Sequence, residues 1–358
     1  MIKLIAVGDI NIGSDKSFIQ KINYNLDLSK NFKNADICFA NLEGPITNAG
    51  YEPINGDFGL YSEFGVLKFL KNYGINLVSL SNNHIGDYGP ICVEFTVDFL
   101  KENKINYFGW GKNIYDILEP NIIEINGLKL GLIAFTFHDN KPATTNMPGS
   151  LPNEPNYFLP LIKKTRENCD VFICSIHWGF EMYSYPKIED RRFAKYLIDN
   201  GVDLILGHHP HVIQGYELYK GKYIFYSLGN FVFKSFWYKG NKKLQPEESK
   251  KTMYVEFQID NSGVNSFTIN PIYYNEDLSI NIVEGEEKEK FIQYFNRISN
   301  DLNRKNYNSF FYKYRIKNEL PISNKLKEIF KNKEFNFSII IKFFKFLKKF
   351  IKVVILKK

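Results

Sequence analysis

All six histidines of the chain stand in, or directly after, the end of an apolar run that reads as a buried strand. They are His84 in SLSNNH, His138 in LIAFTFHD, His177 in VFICSIHWG, and His208, His209 and His211 in LILGHHPHV. Chance placement would put some of them on helix surfaces or in the polar C-terminal stretch. In an open α/β sheet the strand ends are where ligand sites are assembled, and imidazole is the commonest metal ligand near neutral pH. The pattern constrains the chain twice, to a layered α/β fold and to a metal centre at its strand ends.

Apolar runs alternate with helix-like segments as far as about residue 275, as in an α/β domain. Strands are expected at Lys3–Val7, Asp36–Ala40, Leu77–Leu80, Lys129–Phe135, Val171–Ile176, Asp203–Leu206 and Tyr223–Ser227, and helices at Gly65–Asn72, Ile91–Lys101, Tyr157–Arg166 and Asp190–Asn200. Asn126-Gly127 is a favoured two-residue turn, so Ile122–Phe135 reads as a hairpin. A second is expected at Met253–Ile272, turning near Asn261–Gly263. Antiparallel additions to a parallel core make the sheets mixed. The polar, lysine-rich Phe236–Lys251 reads as a surface loop, and EGEEKEKF opens a helical stretch from about Glu284. The expected organisation is a body over 1–280, a helical or irregular extension over 284–338 and a basic amphipathic helix over 339–358.

Charge narrows the partners. Residues 339–358 hold seven lysines and no acid, equal to the whole net charge of +7, and the remaining 338 residues balance 39 basic against 39 acidic side chains. A nucleic-acid protein carries its basic surface on the folded body, so this distribution argues against nucleic acid. In the tail, Phe343, Phe346, Leu347, Phe350 and Val354 recur at three- and four-residue spacing, with Lys342, Lys345, Lys349 and Lys352 on the other side. That pattern fits in-plane docking on an anionic membrane, at roughly 1 kcal/mol per near-surface lysine; the competing reading is a core-packed terminal helix. No run of 18 apolar residues occurs, so no spanning helix is expected. MIKLIAVGDI reads as a first strand rather than a signal peptide. Cys38, Cys92, Cys169 and Cys174 form no C-x-x-C pair and read as free thiols of a reducing cytosol. The expected location is cytoplasmic, with peripheral membrane association.

Read in order, the strand ends offer Asp9, Asn41 and Glu43, Asn82-Asn83-His84, His177-Trp178, and His208-His209-Pro210-His211. Mixed carboxylate, amide and imidazole donors suit borderline divalent metals (Mn, Zn or Fe) better than Mg or Ca. The donors outnumber one ion's needs, and two metals about 3.5–4 Å apart can share a carboxylate and clamp a phosphoryl group. Each residue also has a plainer reading. Asp9 caps the next helix or binds metal, and the other motifs favour metal. Asn41 closes a turn or supports a ligand; Asn82 and Asn83 are turn residues or, with His84 beside them, part of the site. His177 is a core histidine or a ligand, and Trp178-Gly179 beside it suggests an open site wall. His209 and His211, two apart on an extended backbone, would point the same way, turning His208 toward a carboxylate; with Pro210 bending the chain, the opposite assignment holds. His138 reads as a surface turn residue. Glu181 is a solvated charge or, from HWGxE, lies near the metal. Asn230 lines the substrate pocket or makes a turn, and Asp87 orients the NNH loop.

The ordered motifs GDxxxG, NLEGP, SNNHxxDYG, HWGxE, GHHPHVxQ and YSLGNFVF, from about residue 4 to residue 233, resemble the CapA family of capsule and poly-γ-glutamate synthesis proteins, within the calcineurin-like metallophosphoesterase superfamily. The resemblance implies a four-layer α/β/β/α sandwich with mixed sheets, followed here by a helical C-terminal tail. It implies one or two divalent ions held by Asp9, Glu43, Asn83, His177, His209 and His211, with His84 and His208 as catalytic candidates. It further implies hydrolysis or transfer of a phosphoester on a phosphorylated or polymer-precursor substrate, or else a metal-stabilised scaffold in a polymer synthase complex. One position departs from the superfamily pattern: Asn11 stands where D-x-H would place a histidine, which favours a single metal, an asymmetric pair or the scaffold.

Overall fold

The computed structural model describes residues 1–13, 22–47, 52–54, 58–138, 141–238 and 241–319; the tail at 339–358 lies outside them. Two compact units emerge, Met1–Lys305 and Asn306–Lys358. The helix Gly285–Asp301 belongs to the first, where Phe295 stacks on Tyr216 at 5.8 Å and Ser299 Oγ accepts the Tyr216 N–H. The body therefore runs on past residue 280 into the stretch read as an extension.

In chain order the strands are β1 (Ile2–Asn11), β2 (Ile37–Leu42), β3 (Leu77–Ser79), β4 (Asn106–Phe108), β5 (Asn121–Ile125), β6 (Leu128–Thr136), β7 (Val171–His177), β8 (Leu204–His208), β9 (Tyr216–Tyr219), β10 (Lys222–Phe225), β11 (Asn230–Phe233), β12 (Phe236–Tyr238), β13 (Asn241–Lys243), β14 (Lys251–Asp260), β15 (Gly263–Tyr274) and β16 (Ile280–Ile282). One sheet has the order β16-β15-β14-β1-β2-β3-β4, with β11 pairing β1 off that path; the second has the order β5-β6-β7-β8-β10-β9. Within them β1 to β4 are parallel, β6, β7 and β8 are parallel, and the hairpins β5–β6 and β14–β15 are antiparallel. The β5–β6 turn has Asn126 and Gly127 both at positive φ, 51° and 78°, the conformation the two-residue turn requires.

Why these layers form is visible in the side chains. Ile5 and Val7 of β1, Cys38 and Ala40 of β2 and Val78 of β3 bury one sheet face against Leu28, Phe32, Phe69, Leu70, Val93 and Val97 from three helices. On the second sheet, Phe135 of β6 meets Phe158 and Phe193 of two helices edge-on at 5.4 Å. The remaining faces pack on each other: Phe225 of β10 lies 5.3 Å from Phe257 of β14, and Phe39 of β2 lies 5.6 Å from His208 of β8. The result is the helix/sheet/sheet/helix sandwich expected from the motifs. Phe236–Lys251 departs from its loop reading, because β12 and β13 pair there and Glu247–Lys250 is helical. Its lysines concealed an FWY triplet of strand-favouring residues. Among the described residues no helix is long and apolar enough to cross a membrane.

Candidate metal centre

The parallel strands of both sheets end at one joint between the layers. In the first sheet Asp9 faces Asn41 across β1–β2 and Asn230 across β1–β11. In the second, His177 faces His208 across β7–β8. The YSLGN segment threads between these ends: the Asp9 N–H donates to Gly229 O and the Leu228 N–H to Gly207 O, both at 3.0 Å. This approach explains the glycines before Asp9 and His208. A Cβ on Gly8 would stand 1.9 Å from Gly229 O, and one on Gly207 2.0 Å from Tyr226 O.

Hydrogen bonds between short polar side chains fix the donors of the first sheet. The Asn41 amide donates to Asp9 Oδ1 at 2.8 Å and lies 3.4 Å from His177 Nδ1. Asn82 donates to Leu42 O and Asn41 Oδ1, and accepts the N–H groups of Gly44 and His84, which locks the NNH loop. Asn83 Oδ1 then reaches His177 Nε2 at 2.8 Å. His84 Nδ1 pairs with Asp87 Oδ2 at 2.7 Å, and Asp87 is itself held by the Leu60 N–H at 2.9 Å. His84 Nε2 lies 3.9 Å from Glu43 Oε1.

On the other side, His209 Nδ1 lies 3.1 Å from His177 Nε2, and its N–H donates to Asp9 Oδ2. His211 Nδ1 lies 2.9 Å from Asn230 Oδ1 and 3.4 Å from Asp9 Oδ2, with its Nε2 3.7 Å from Glu43 Oε1. His208 is wholly buried, with Nδ1 3.2 Å from Asp9 Oδ1. Neither ring nitrogen of His208 makes a directed hydrogen bond. Ligand atoms of Asp9, Glu43 and His177 lie within 4.8 Å of one another, and so do those of Glu181, His209 and His211.

The electrostatics ask for a cation. Burial opposes ionisation of Asp9, but the His208 and His211 imidazoles beside it outweigh burial and hold its carboxyl well below the usual range. Burial pushes Glu43 well above its usual range, and the neighbouring acids add to this. Burial also lowers His177 strongly and brings His209 down to about 2, leaving both neutral, the form that ligates. For His211, burial is outweighed by Glu43 and Asp9, which push it up to about 10; this imidazolium supplies positive charge between two buried acids. Among the described residues no lysine or arginine pairs with either acid; their ion-pair partners are histidines. Glu43 is 0% exposed and neither carboxylate oxygen has a hydrogen-bond partner. A buried carboxyl group whose oxygens have no hydrogen-bond partner is costly, and a divalent ion among Asp9, Glu43 and His177 would satisfy it. The donor set fits such an ion.

Residues 3–235 match the family described as bacterial capsule synthesis protein PGA_cap. The chain belongs to this family. The PGA_cap match covers every residue of the joint, from Asp9 to Asn230. The capsule biosynthesis protein CapA of Bacillus anthracis is 31% identical over 297 residues, 79% of this chain and 68% of that one. The PGA biosynthesis protein CapA of Bacillus subtilis (strain 168) is 30% identical over 266 residues, 73% and 67% of the two chains. Among solved structures, a 5'-nucleotidase precursor from Thermus thermophilus has a TM-score of 0.43 at 14% identity, over 82% of this chain and 58% of that chain.

Four side chains of this PGA_cap fold stand otherwise than the sequence suggested. Trp178 does not wall an open site; it is fully buried, stacked on Tyr226, and its Nε1–H donates to Tyr226 O at 2.8 Å. His209 and His211 are not on extended backbone, because their φ angles are 93° and 58°; loop shape rather than strand alternation aims them. His138 lies half-buried in a bend, and its ring is engaged there as well. Its ring stacks on His209 with centroids 4.0 Å apart, and its Nε2 lies 2.8 Å from Gly179 O. The strand-end signal did reach His138, two residues past the Thr136↔His177 pair, but no polar motif accompanied it.

Proposed function

We propose that the chain is a metal-dependent phosphoester hydrolase or transferase of surface-polymer biosynthesis, acting on a phosphorylated or polymer-precursor substrate. The observation that carries this reading is the buried Asp9–Glu43–His177 group with both Glu43 oxygens unpartnered. Asp9, Glu43, His177 and Asn83 would hold a divalent ion such as Mn, Zn or Fe, with His209 and His211 adjoining. Such an ion, when bound, polarises a phosphoryl oxygen and makes water a nucleophile at neutral pH.

The chain's own residues do the rest. Asn41 and the His209 N–H fix the two oxygens of Asp9. His84, pinned through Nδ1 by Asp87, presents Nε2 on the side of Glu43, where it donates a proton to the departing oxygen. His208 sits behind Asp9, positioning that carboxylate rather than meeting substrate. Asn230 orients His211 and is in turn held by the Tyr274 hydroxyl, 3.2 Å from its amide.

The test compares metal content and phosphodiesterase turnover of wild type and Asp9→Ala. Wild type should carry transition metal and turn over a generic phosphodiester; Asp9→Ala should lose the metal and at least about 10³-fold in rate, the scale of ablating a principal catalytic group. Wild-type protein free of transition metal would sink the reading. Metal without turnover would favour the second reading, a metal-stabilised scaffold of a polymer synthase complex. That alternative is favoured by Asn11, whose amide donates to Glu43 O at 2.8 Å and to Tyr61 O and so serves the backbone where a D-x-H histidine would ligate. Docking of residues 339–358 on an anionic membrane from the cytoplasmic side belongs to the same proposal, resting on their seven lysines. Deleting that segment should abolish sedimentation with phosphatidylserine vesicles; unchanged binding would reject it.

A further inference from the structure

Trp110 and Trp178 are both buried, and the fold serves them differently. Trp178 stacks on Tyr226 and gives its Nε1–H to Tyr226 O. Trp110 is 9% exposed, yet among the described residues it stacks on no aromatic ring and its Nε1–H meets no acceptor. A buried indole N–H ordinarily has a partner.

The Trp110 ring instead lines two adjoining cavities, of about 120 and 130 Å³, which also share Tyr107 and Asp116. Each has room for roughly eight waters, the space of one sugar ring. The first cavity lies at the outer strands of the two sheets, β4 and β5. There Asn121 donates to Tyr107 O at 3.3 Å and ties the two edges together, and Leu132, Ala134 and Leu161 supply an apolar lining. The second cavity adds Lys112, and Glu94 and Asp98 from the helix Pro90–Glu102. No donor of the metal centre lines either one. Aromatic and aliphatic walls with a few polar groups are the make-up of a small-molecule site.

The chemistry of the lining selects the ligand. An ammonium ion has donors only and leaves the indole N–H unserved; an oxyanion has acceptors only and meets Glu94 and Asp98. Charge favours neither, because Glu119 is paired with Lys164 at 2.7 Å and Lys101 Nζ already stands 5.7 Å over the Tyr107 ring. A hydroxyl donates to a carboxylate and accepts from the indole, and the C–H faces of a sugar suit the negative faces of aromatic rings. We infer that the paired cavities bind two successive sugar units of a neutral glycan, with Trp110 serving both. This site is separate from the metal centre and does not rest on its chemistry.

The experiment titrates full-length protein with glucose and cellobiose, and with N-acetylglucosamine and chitobiose, read by saturation-transfer NMR and tryptophan fluorescence. At least one disaccharide should saturate and bind at least about tenfold more tightly than its monosaccharide. Trp110→Phe, which keeps an aromatic ring and removes the N–H, should weaken both sugars at least about fivefold, the scale of one hydrogen bond. Asp98→Ala, at an exposed helix position that lines only the second cavity, should bring the disaccharide down to the monosaccharide's affinity. If Trp110→Phe fails to fold, Asp98→Ala alone decides. Binding of none of the four sugars up to about 20 mM, binding unchanged by the variants, or binding of choline in their place overturns the site.

Discussion

The two sheets bring different chemistry to the joint and hold it by different means. From the first come carboxylates and amides, Asp9, Asn41, Glu43, Asn82 and Asn83, most of them fixed by hydrogen bonds to a neighbour's side chain or backbone. From the second come imidazoles, His177, His208, His209 and His211, and there the backbone does most of the aiming, through left-handed residues and the Met182–Pro210 bond. Short polar groups can be steered by one another. Bulky rings on a loop have to be aimed by the chain that carries them. His84, an imidazole on the first side, follows the first side's rule and is steered by Asp87.

The largest effect should come from breaking what joins the two halves. Gly8→Ala places a methyl 1.9 Å from Gly229 O, and Gly207→Ala places one 2.0 Å from Tyr226 O, backbone atoms that cannot swing aside. Each should cost about 3 kcal/mol or more, at the upper end of overpacking penalties, seen as a large fall in Tm. If either variant melts like wild type, the strap between the sheets is not what unites them. A smaller effect, confined to the second half, concerns Asp190 in the helix Ile188–Asp199. Burial pushes its carboxyl up to about 7, with Lys187 partly opposing. Because the folded value exceeds the unfolded value of about 3.9, the native state holds this proton more tightly. Stability therefore falls as pH rises from about 4 to about 7 and is level beyond. Between pH 5 and pH 8 the swing from this group is at most roughly 2.7 kcal/mol. Asp190→Asn should flatten that part of the urea-unfolding profile between pH 5 and pH 8; a profile as steep as wild type's would assign the slope to other groups.

Much of this was legible in the sequence, and the physical reason is periodicity. Long apolar runs such as LIAVGDI and VFICSIH are what strands covered on both faces look like, so their ends, and the polar residues there, could be placed. What could not be read was direction. Trp178 follows His177 by one residue and so turns to the opposite side of its strand, toward Tyr226. Apolar runs do not say which side opens. His209 and His211 were aimed by φ angles that two ordinary histidines around a proline do not announce. His138 stood at a strand end like the others but carried no flanking amide or acid to mark it, and only the stack on His209 gives it a place. β12 and β13 were hidden by lysines whose charge masks a pairing made through the backbone.

Asp9 lies on β1, yet its N–H partner is Gly229 and its Oδ2 partner is His209, a separation of 200 residues. No fragment of the chain that stops short of β8 can assemble this corner, and its acid must wait in water while most of the polypeptide is made. Non-local closure of this kind is slow to form. The chemistry of the centre is thus withheld until synthesis has passed the last strand that shelters it.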